Sequence, residues 1–239
     1  MNFNIKRFKV LDSTSTYLKA LAEKGEKEGV VIVADTQTMG RGRHGKSFFS
    51  PDGTGLYMSI LLKPSLRPDK ALFITTAAAV ALSRAIEALY SHKAEIKWVN
   101  DIYVNDKKAA GILTEASYNI DGSIKYVVLG IGVNIFTDSF PKEIEDIAVS
   151  LGKEDLRESL LTNILYEFSL LYEAFPSVTF FEEYKRRSIL IGREIEILGE
   201  KSMFGTAIDI DDECHLIVKL DTGETVSLSS GEVSTKLKK

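Results

Sequence analysis

Gly40-Arg41-Gly42-Arg43-His44-Gly45 constrains the fold more than any other stretch of this 239-residue chain. Its spacing is a literal G-x-G-x-x-G, which in a dinucleotide-binding fold must carry a strand directly into a helix. Here the apolar run Val30-Val31-Ile32-Val33 is separated from the first glycine by Ala34 to Met39. The residues that follow, Lys46-Ser47-Phe48-Phe49-Ser50-Pro51-Asp52-Gly53, cannot open a helix. The segment is therefore a loop outside the dinucleotide pattern. Glycines reach positive φ without a steric cost and let backbone approach a ligand closely. Arg41, Arg43, His44 and Lys46 make the loop cationic in a chain of net charge −4, and planar guanidinium groups grip anionic oxygens in pairs. The pattern suits a small polyanion such as a nucleotide better than a long nucleic acid; the alternative is a basic surface turn with no ligand.

The rest of the chain reads as an α+β protein. Ser13-Thr14-Ser15-Thr16 ahead of Leu18, Leu21 and Ala22 predicts an N-capped amphipathic helix stopping at Gly25. Strands are expected at Val30 to Ala34, Leu56 to Leu62 and Glu95 to Val99, with a turn at Asn100-Asp101. Pro68 opens a long helix to about Tyr90. Lys108 to Tyr118 and Ile124 to Asn134 form a hairpin across Asp121-Gly122. Helical periodicity returns over Leu156 to Phe175, and a short helix reaches about Arg187. From Arg193 onward short alternating runs, such as Ile195-Glu196-Ile197 and Leu216-Ile217-Val218, predict a small β-barrel. The boundary falls near Gly192, giving a larger unit over 1–190 and a smaller one over 191–239.

Composition narrows the function classes. The longest strictly apolar run, Ala77 to Leu82, is too short to span a bilayer, and the N-terminus carries no apolar signal core, so neither a membrane nor export is expected. Cys214 is the single cysteine, which excludes an internal disulfide and fits a reducing cytoplasm. His44, His92 and His215 are far apart, and the neighbours Cys214 and His215 should face opposite sides of a strand-like run, so no protein-held metal is expected beyond a magnesium ion carried by a nucleotide.

Lys97-Trp98-Val99-Asn100-Asp101 followed by Lys107-Lys108-Ala109-Ala110-Gly111-Ile112-Leu113 is the second informative region. Polar residues at a strand end, then a lysine and an in-strand glycine, mark the close approach of a ligand. Alone, Lys108 would be an ordinary solvated lysine and Asn100-Asp101 a plain turn. Together with the glycine–arginine loop these segments resemble the biotin protein ligases. The resemblance runs in order through Asp12-Ser13-Thr14, Gln37, the loop itself, Ser50-Pro51, Gly55-Leu56-Tyr57-Met58-Ser59, both segments above, Gly130-Ile131-Gly132-Val133-Asn134 and Gly231-Glu232-Val233.

The resemblance implies a mixed or antiparallel sheet with helices, of the kind shared with class II aminoacyl-tRNA synthetases, and a small C-terminal barrel like the Src-homology-3 domain. It implies two half-reactions. Biotin and MgATP give biotinyl-5′-AMP and pyrophosphate, and a lysine of a biotin carboxyl carrier domain then takes the biotinyl group. Carboxylate and triphosphate repel, so cations must unite them and neutralise charge at the α-phosphorus. By resemblance, Lys108 bridges carboxylate and α-phosphate, Arg43 clamps the phosphate, Lys97 assists the outgoing pyrophosphate, and Asp101 orients or deprotonates the incoming amine. Ser13, Thr14, Ser15 and Gln37 fall at the positions that hold the ureido head, with Gly40 and the Arg41 backbone beside it. Gly111, Ile112 and Leu113 line the tail. Arg41, His44, Gly45, Phe48, Asn100 and Asn134 fall on the adenylate side, Asn134 reading adenine.

Some positions depart from the family pattern: Ser15 stands where Asn is usual, Phe48 replaces Trp, Val99 replaces Pro, and Lys236 replaces Arg. A lipoate or octanoate transferase is the nearest rival. It needs no ureido partners, and its loop places a run of glycines after an arginine pair. Some family members carry an N-terminal DNA-binding domain; here the pattern begins at Asp12, so a short form without nucleic-acid binding is expected. Dimerisation, seen in relatives, is left open as a homodimer.

Overall fold

The computed structural model describes residues 1–175, 177, 179–199 and 202–235, with backbone alone for Glu232 and Thr235. Lys236 and the basic tail after it lie outside the described residues.

A seven-stranded mixed sheet organises the larger part. Its strands are β1 (Asn4–Leu11), β2 (Val30–Gln37), β3 (Gly55–Leu62), β4 (Glu95–Lys97), β5 (Asp101–Val104), β6 (Lys107–Tyr118) and β7 (Ile124–Asn134). Their order is β1-β2-β3-β7-β6-β5-β4, with β1 and β2 parallel and the remaining pairs antiparallel. Side chains alternate across a strand, so β2 feeds two cores. Val30 and Ile32 meet Leu18 and Ala22 of helix α1 (Thr14–Glu23) on one face. Val31 and Val33 join the larger core on the other face, with helices α2 (Leu72–Tyr90), α3 (Arg157–Glu173) and α4 (Phe181–Arg186).

Helix α2 differs from the reading of its apolar runs. Thr and Ser interleave the alanines without lowering mean hydropathy much, so Pro68–Tyr90 is long and apolar enough to cross a bilayer by length and composition. Most of that segment is buried inside the protein, where it serves as the core helix under the sheet. Pro68 opens a 3-10 turn that leads into α2.

The C-terminal strands β8 (Glu194–Leu198), β9 (Met203–Ile210), β10 (Leu216–Leu220), β11 (Thr225–Leu228) and β12 (Glu232–Thr235) form a five-stranded antiparallel sheet, ordered β11-β10-β9-β8-β12. It packs directly against the larger part. The Trp98 indole N–H donates to the Cys214 carbonyl at 2.9 Å, and Lys70 and Lys185 pair with Glu213 and Asp209.

Residues 4–11, to which the sequence analysis assigned no element, form an edge strand, and two local expectations change. Asp101 opens a strand of its own, since β4 ends at Lys97. Cys214 adopts φ 65° in the turn before β10, so it does not alternate with His215 along a strand. His215 Nδ1 lies 3.4 Å from Asp211 Oδ2. Burial pushes the Cys214 thiol up to about 11, which keeps it protonated and unreactive at neutral pH.

Candidate active site

One cleft of about 320 Å³ gathers nearly every residue singled out above. Its blind end is built from hydroxyls. Ser13 caps α1, its Oγ accepting from the Thr16 amide, which aims the first turn of the helix at the cleft. Thr14 donates its N–H to Gln37 Oε1 at 2.9 Å, and its hydroxyl meets Ser59 Oγ at 2.8 Å. Ser15 Oγ lies 3.0 Å from the same Ser59 oxygen, and Gln37 Nε2 donates to Ser50 Oγ at 3.0 Å. Three of the four expected head-group residues, Thr14, Ser15 and Gln37, thus share one hydrogen-bonded cluster with Ser59 buried at its centre, and Ser13 stands beside it as the helix cap.

The middle of the cleft is the face of β6. Lys108, Gly111, Ile112 and Leu113 all line it. Lys108 Nζ sits 2.8 Å from Asp101 Oδ1. The angle of this contact falls short of a hydrogen bond, leaving that buried oxygen without an aligned donor. Lys97 lies on the same wall, its Nζ 5.8 Å from the centre of the Tyr103 ring. Burial and the nearby Asp101 carboxylate push the Tyr103 phenol up to about 12, so it stays neutral at working pH. The Lys108 backbone is held from both sides, its N–H donating to the Ile147 carbonyl and its carbonyl accepting from Val149.

The mouth is covered by the glycine–arginine loop. Arg43 donates from Nη1 to Asn100 Oδ1 and from Nη2 to the Gly231 carbonyl, each at 3.1 Å. Asn100 in turn donates to the Ile112 carbonyl at 2.7 Å, so the Arg43–Asn100 pair links the loop to β6 and to the Gly231 carbonyl just before β12. Phe48 lies on β7. A Cβ built on Gly132 would fall 2.6 Å from its ring, so only glycine lets this aromatic cover settle there. Asn134 is buried and donates to the Val149 carbonyl at 3.3 Å.

Gly40 and Gly45 are not among the lining residues. The closeness that Gly40 permits is internal: a Cβ there would lie 2.3 Å from the Phe48 carbonyl oxygen, where the two arms of the loop meet. Gly45, at φ 75°, faces open space. Met58 and the glycines of β7 also line the cleft, within quoted motifs but with no role assigned to them, while Ile144, Ile147 and Ala148 lie outside the sequence reading altogether. The last group lies in an irregular segment with no motif of its own. Backbone bonds to Lys108, with side-chain bonds from Lys107 to the Glu145 carbonyl and from Asn134 to the Val149 carbonyl, bring it to the cleft. Among the described residues no group of three or more His, Cys, Asp or Glu could hold a metal ion.

A hydroxyl-lined blind end continuous with a lysine and an arginine loop is a cleft for a small acid held beside a phosphate, the architecture of an acid-activating ligase. The profile of the biotin/lipoate A/B protein ligase family matches residues 7–134, and that of the biotin protein ligase C-terminal domain matches residues 190–236. The bifunctional ligase/repressor BirA of Bacillus subtilis is 35% identical over 227 residues, covering 90% of this chain and 69% of that protein. The biotin–[acetyl-CoA-carboxylase] ligase of Mycobacterium tuberculosis is 30% identical over 236 residues, covering 92% and 85%. The biotin protein ligase of Aquifex aeolicus in complex with biotin and ATP superposes with a TM-score of 0.77 at 27% identity, covering 98% of each chain. The chain belongs to this family, on its biotin protein ligase branch.

Proposed function

We propose that this protein activates biotin with MgATP and transfers it to a carrier lysine, with Lys108 and Asp101 at the reacting centre. One observation carries the reading: the Lys108–Asp101 contact at 2.8 Å lies between the hydroxyl cluster of Thr14, Ser15 and Gln37 and the arginine loop. The ureido head of biotin needs donors and acceptors at a blind end. Its apolar tail needs the wall given by Gly111 and Leu113, and its carboxylate then reaches Lys108.

In the first step a biotin carboxylate oxygen attacks the α-phosphorus and pyrophosphate leaves. Lys108 offsets the charge of both anions, Arg43 holds the phosphate side, Lys97 faces the departing group, and Phe48 and Asn134 receive the nucleotide. Magnesium enters with ATP as part of the substrate. In the second step the acceptor amine attacks the acyl carbon, AMP leaves, and Asp101 orients the amine and takes its proton. Preorganised charge of this kind is worth about 10²–10³ in rate for a single group. The amine comes from a biotin carboxyl carrier domain.

Incubation with MgATP and either biotin or lipoate, followed by mass spectrometry of the acyl-adenylate, tests the reading. Biotinyl-AMP is expected. Formation of lipoyl-AMP alone would replace it with the lipoate reading, which the polar end of the cleft disfavours because an apolar acid would cover that polar surface without offering it hydrogen-bond partners.

A further inference from the structure

The turn that presents Asn100 and Asp101 is held by a residue with no part in the chemistry above. Tyr184 of α4 has no exposed surface, and its hydroxyl donates to the Val99 carbonyl at 3.1 Å. Val99 is itself buried, so this bond is made out of reach of solvent. Tyr184 is not among the residues that line the cleft. The chain leaving α4 is fastened to the same corner of the sheet. The Ile96 amide donates to the Arg187 carbonyl at 2.8 Å, and the Ile96 carbonyl accepts from the Ile189 amide at 2.9 Å. Beside it the Trp98 indole is tied to the Cys214 carbonyl, so both residues ahead of Asn100 are clamped by buried hydrogen bonds.

We propose that Tyr184 is a positioning residue for the phosphate side of the cleft, acting through the Val99–Asn100 peptide. The Val99 carbonyl belongs to the rigid plane that ends at the Asn100 nitrogen, so fixing the direction of that carbonyl fixes how Asn100 enters the cleft. On its other side Asn100 is pinned to β6. Its backbone carbonyl accepts from the Ile112 amide at 2.9 Å, and its side chain donates to the Ile112 carbonyl. With both ends held, Asn100 Oδ1 is set facing Arg43 Nη1. Burial pushes the Tyr184 phenol well above its ordinary value, so it stays a donor, and the Arg43 charge is near enough to act on it. A buried carbonyl stripped of its donor keeps its desolvation cost and is driven to turn toward another partner. Tyr184→Phe imposes that loss while keeping the ring that fills the core.

This role rests on the ligase reading for its kinetic consequence, so one measurement is made that needs no activity. In isotope-labelled protein, Tyr184→Phe should shift the NMR resonances of the Asn100 side-chain amide and the Ile112 backbone amide. The Thr14 amide, bonded to Gln37 at the other end of the cleft, should stay in place. In the ligase assay the variant should raise the KM for ATP about tenfold, the scale of one unpaired buried hydrogen bond, with the KM for biotin nearly constant. In an Asn100→Ala background it should add nothing, because both changes act through one residue. Unmoved Asn100 and Ile112 resonances in folded Tyr184→Phe, an equal rise in both KM values, or full additivity with Asn100→Ala would overturn the role. A lower Tm with unchanged kinetics would overturn it too, by leaving Tyr184 a packing residue only. A wild type that makes no biotinyl-AMP would sink the ligase reading instead, and the resonances would still decide the positioning.

Discussion

Arg43 and Gly231 stand 188 positions apart, and the Arg43 Nη2 group donates to the Gly231 carbonyl at 3.1 Å. The C-terminal sheet therefore supplies part of the frame that holds the cationic loop, although its carbonyl carries no chemistry of its own. Gly231 presents that carbonyl from φ 132°, a backbone conformation that L side chains rarely adopt.

Gly231→Ala should accordingly turn the carbonyl away from Arg43 at a strain of about 1–3 kcal/mol. The expected result is a rise in the KM for ATP with the KM for biotin nearly constant, since the hydroxyl cluster is remote from this contact. Steady-state kinetics with each substrate varied in turn decides it; equal changes in both constants would mean that the sheet acts on the whole cleft.

Lys108→Ala should lower adenylate formation about 10²–10³-fold while costing the fold only about 1 kcal/mol, because both side chains of the pair are partly exposed although Asp101 Oδ1 itself is buried. Single-turnover formation of biotinyl-AMP and thermal unfolding measured on one preparation separate the two effects. Near-normal turnover would remove Lys108 from the mechanism.

Part of this cleft was legible in sequence because it breaks local rules: glycines spaced by arginines, a glycine inside a strand, lysine and aspartate at a strand end; Ser13, Thr14, Ser15, Gln37, Phe48 and Asn134 entered the site only through the family resemblance. The hairpin across Asp121-Gly122 was legible for the same reason, and Gly122 does adopt φ 81°. Edge strand β1 was not, because its burial alternates poorly and Lys6, Arg7 and Lys9 mark it as solvated. Asn100 lies in the expected turn, but Asp101 opens β5 through pairing with Lys97 and Gly111, which only tertiary structure supplies. Ile144, Ile147 and Ala148 reach the cleft in a segment held through its backbone carbonyls and amides to Lys107, Lys108 and Asn134, which no side-chain pattern of its own announces.

Arg187 ties α4 to α2. It pairs with Glu87 at 2.7 Å and Glu183 at 2.8 Å, while Arg84 meets Glu183 from the other side. Hydrogen bonds from Arg187 hold the Glu87 carboxyl below its ordinary value. Burial pushes Glu183 up, but its bonds from Arg84 and Arg187 outweigh that and leave it lowered as well. Carboxylates lowered in the folded state add stability above their unfolded values, near pH 4.5, and that stability is lost as pH falls through the folded values. Arg187→Met should therefore destabilise by about 2 kcal/mol at pH 7, below the cost of breaking a fully buried pair. The gap to wild type should shrink below pH 4. Denaturant unfolding at pH 7 and pH 3.5 checks both, and a gap that did not change with pH would disprove the linkage.

None of the four methionines is followed by lysine, so the Met-Lys-Met signature of biotin carriers is absent from this chain. The modified lysine is expected on a separate carrier protein. With MgATP and biotin, label should move to an added biotin carboxyl carrier domain while the enzyme itself stays unmodified. Rapid labelling of one internal lysine, with no transfer to the carrier, would count against the assignment.

The last prediction concerns retention of the intermediate. An acyl-adenylate is a mixed anhydride that water or any free amine can attack, so it must be covered until the proper lysine arrives. Arg43 is the loop residue tied to both Asn100 and Gly231, and Arg43→Gly removes both ties and the charge that faces the phosphate. A charge-assisted hydrogen bond is worth about 1.5–3 kcal/mol, which corresponds to about one to two orders of magnitude in retention. The variant should release biotinyl-AMP faster and label lysines of unrelated proteins nearby, while the hydroxyl cluster around Ser59 keeps its affinity for biotin itself. Release rates of radiolabelled biotinyl-AMP, together with protection of residues 40–50 from proteolysis by the adenylate, give the answer. If release is unchanged and the adenylate gives no protection, the loop is a binding wall and not a lid, because a lid must both close on its ligand and slow its escape.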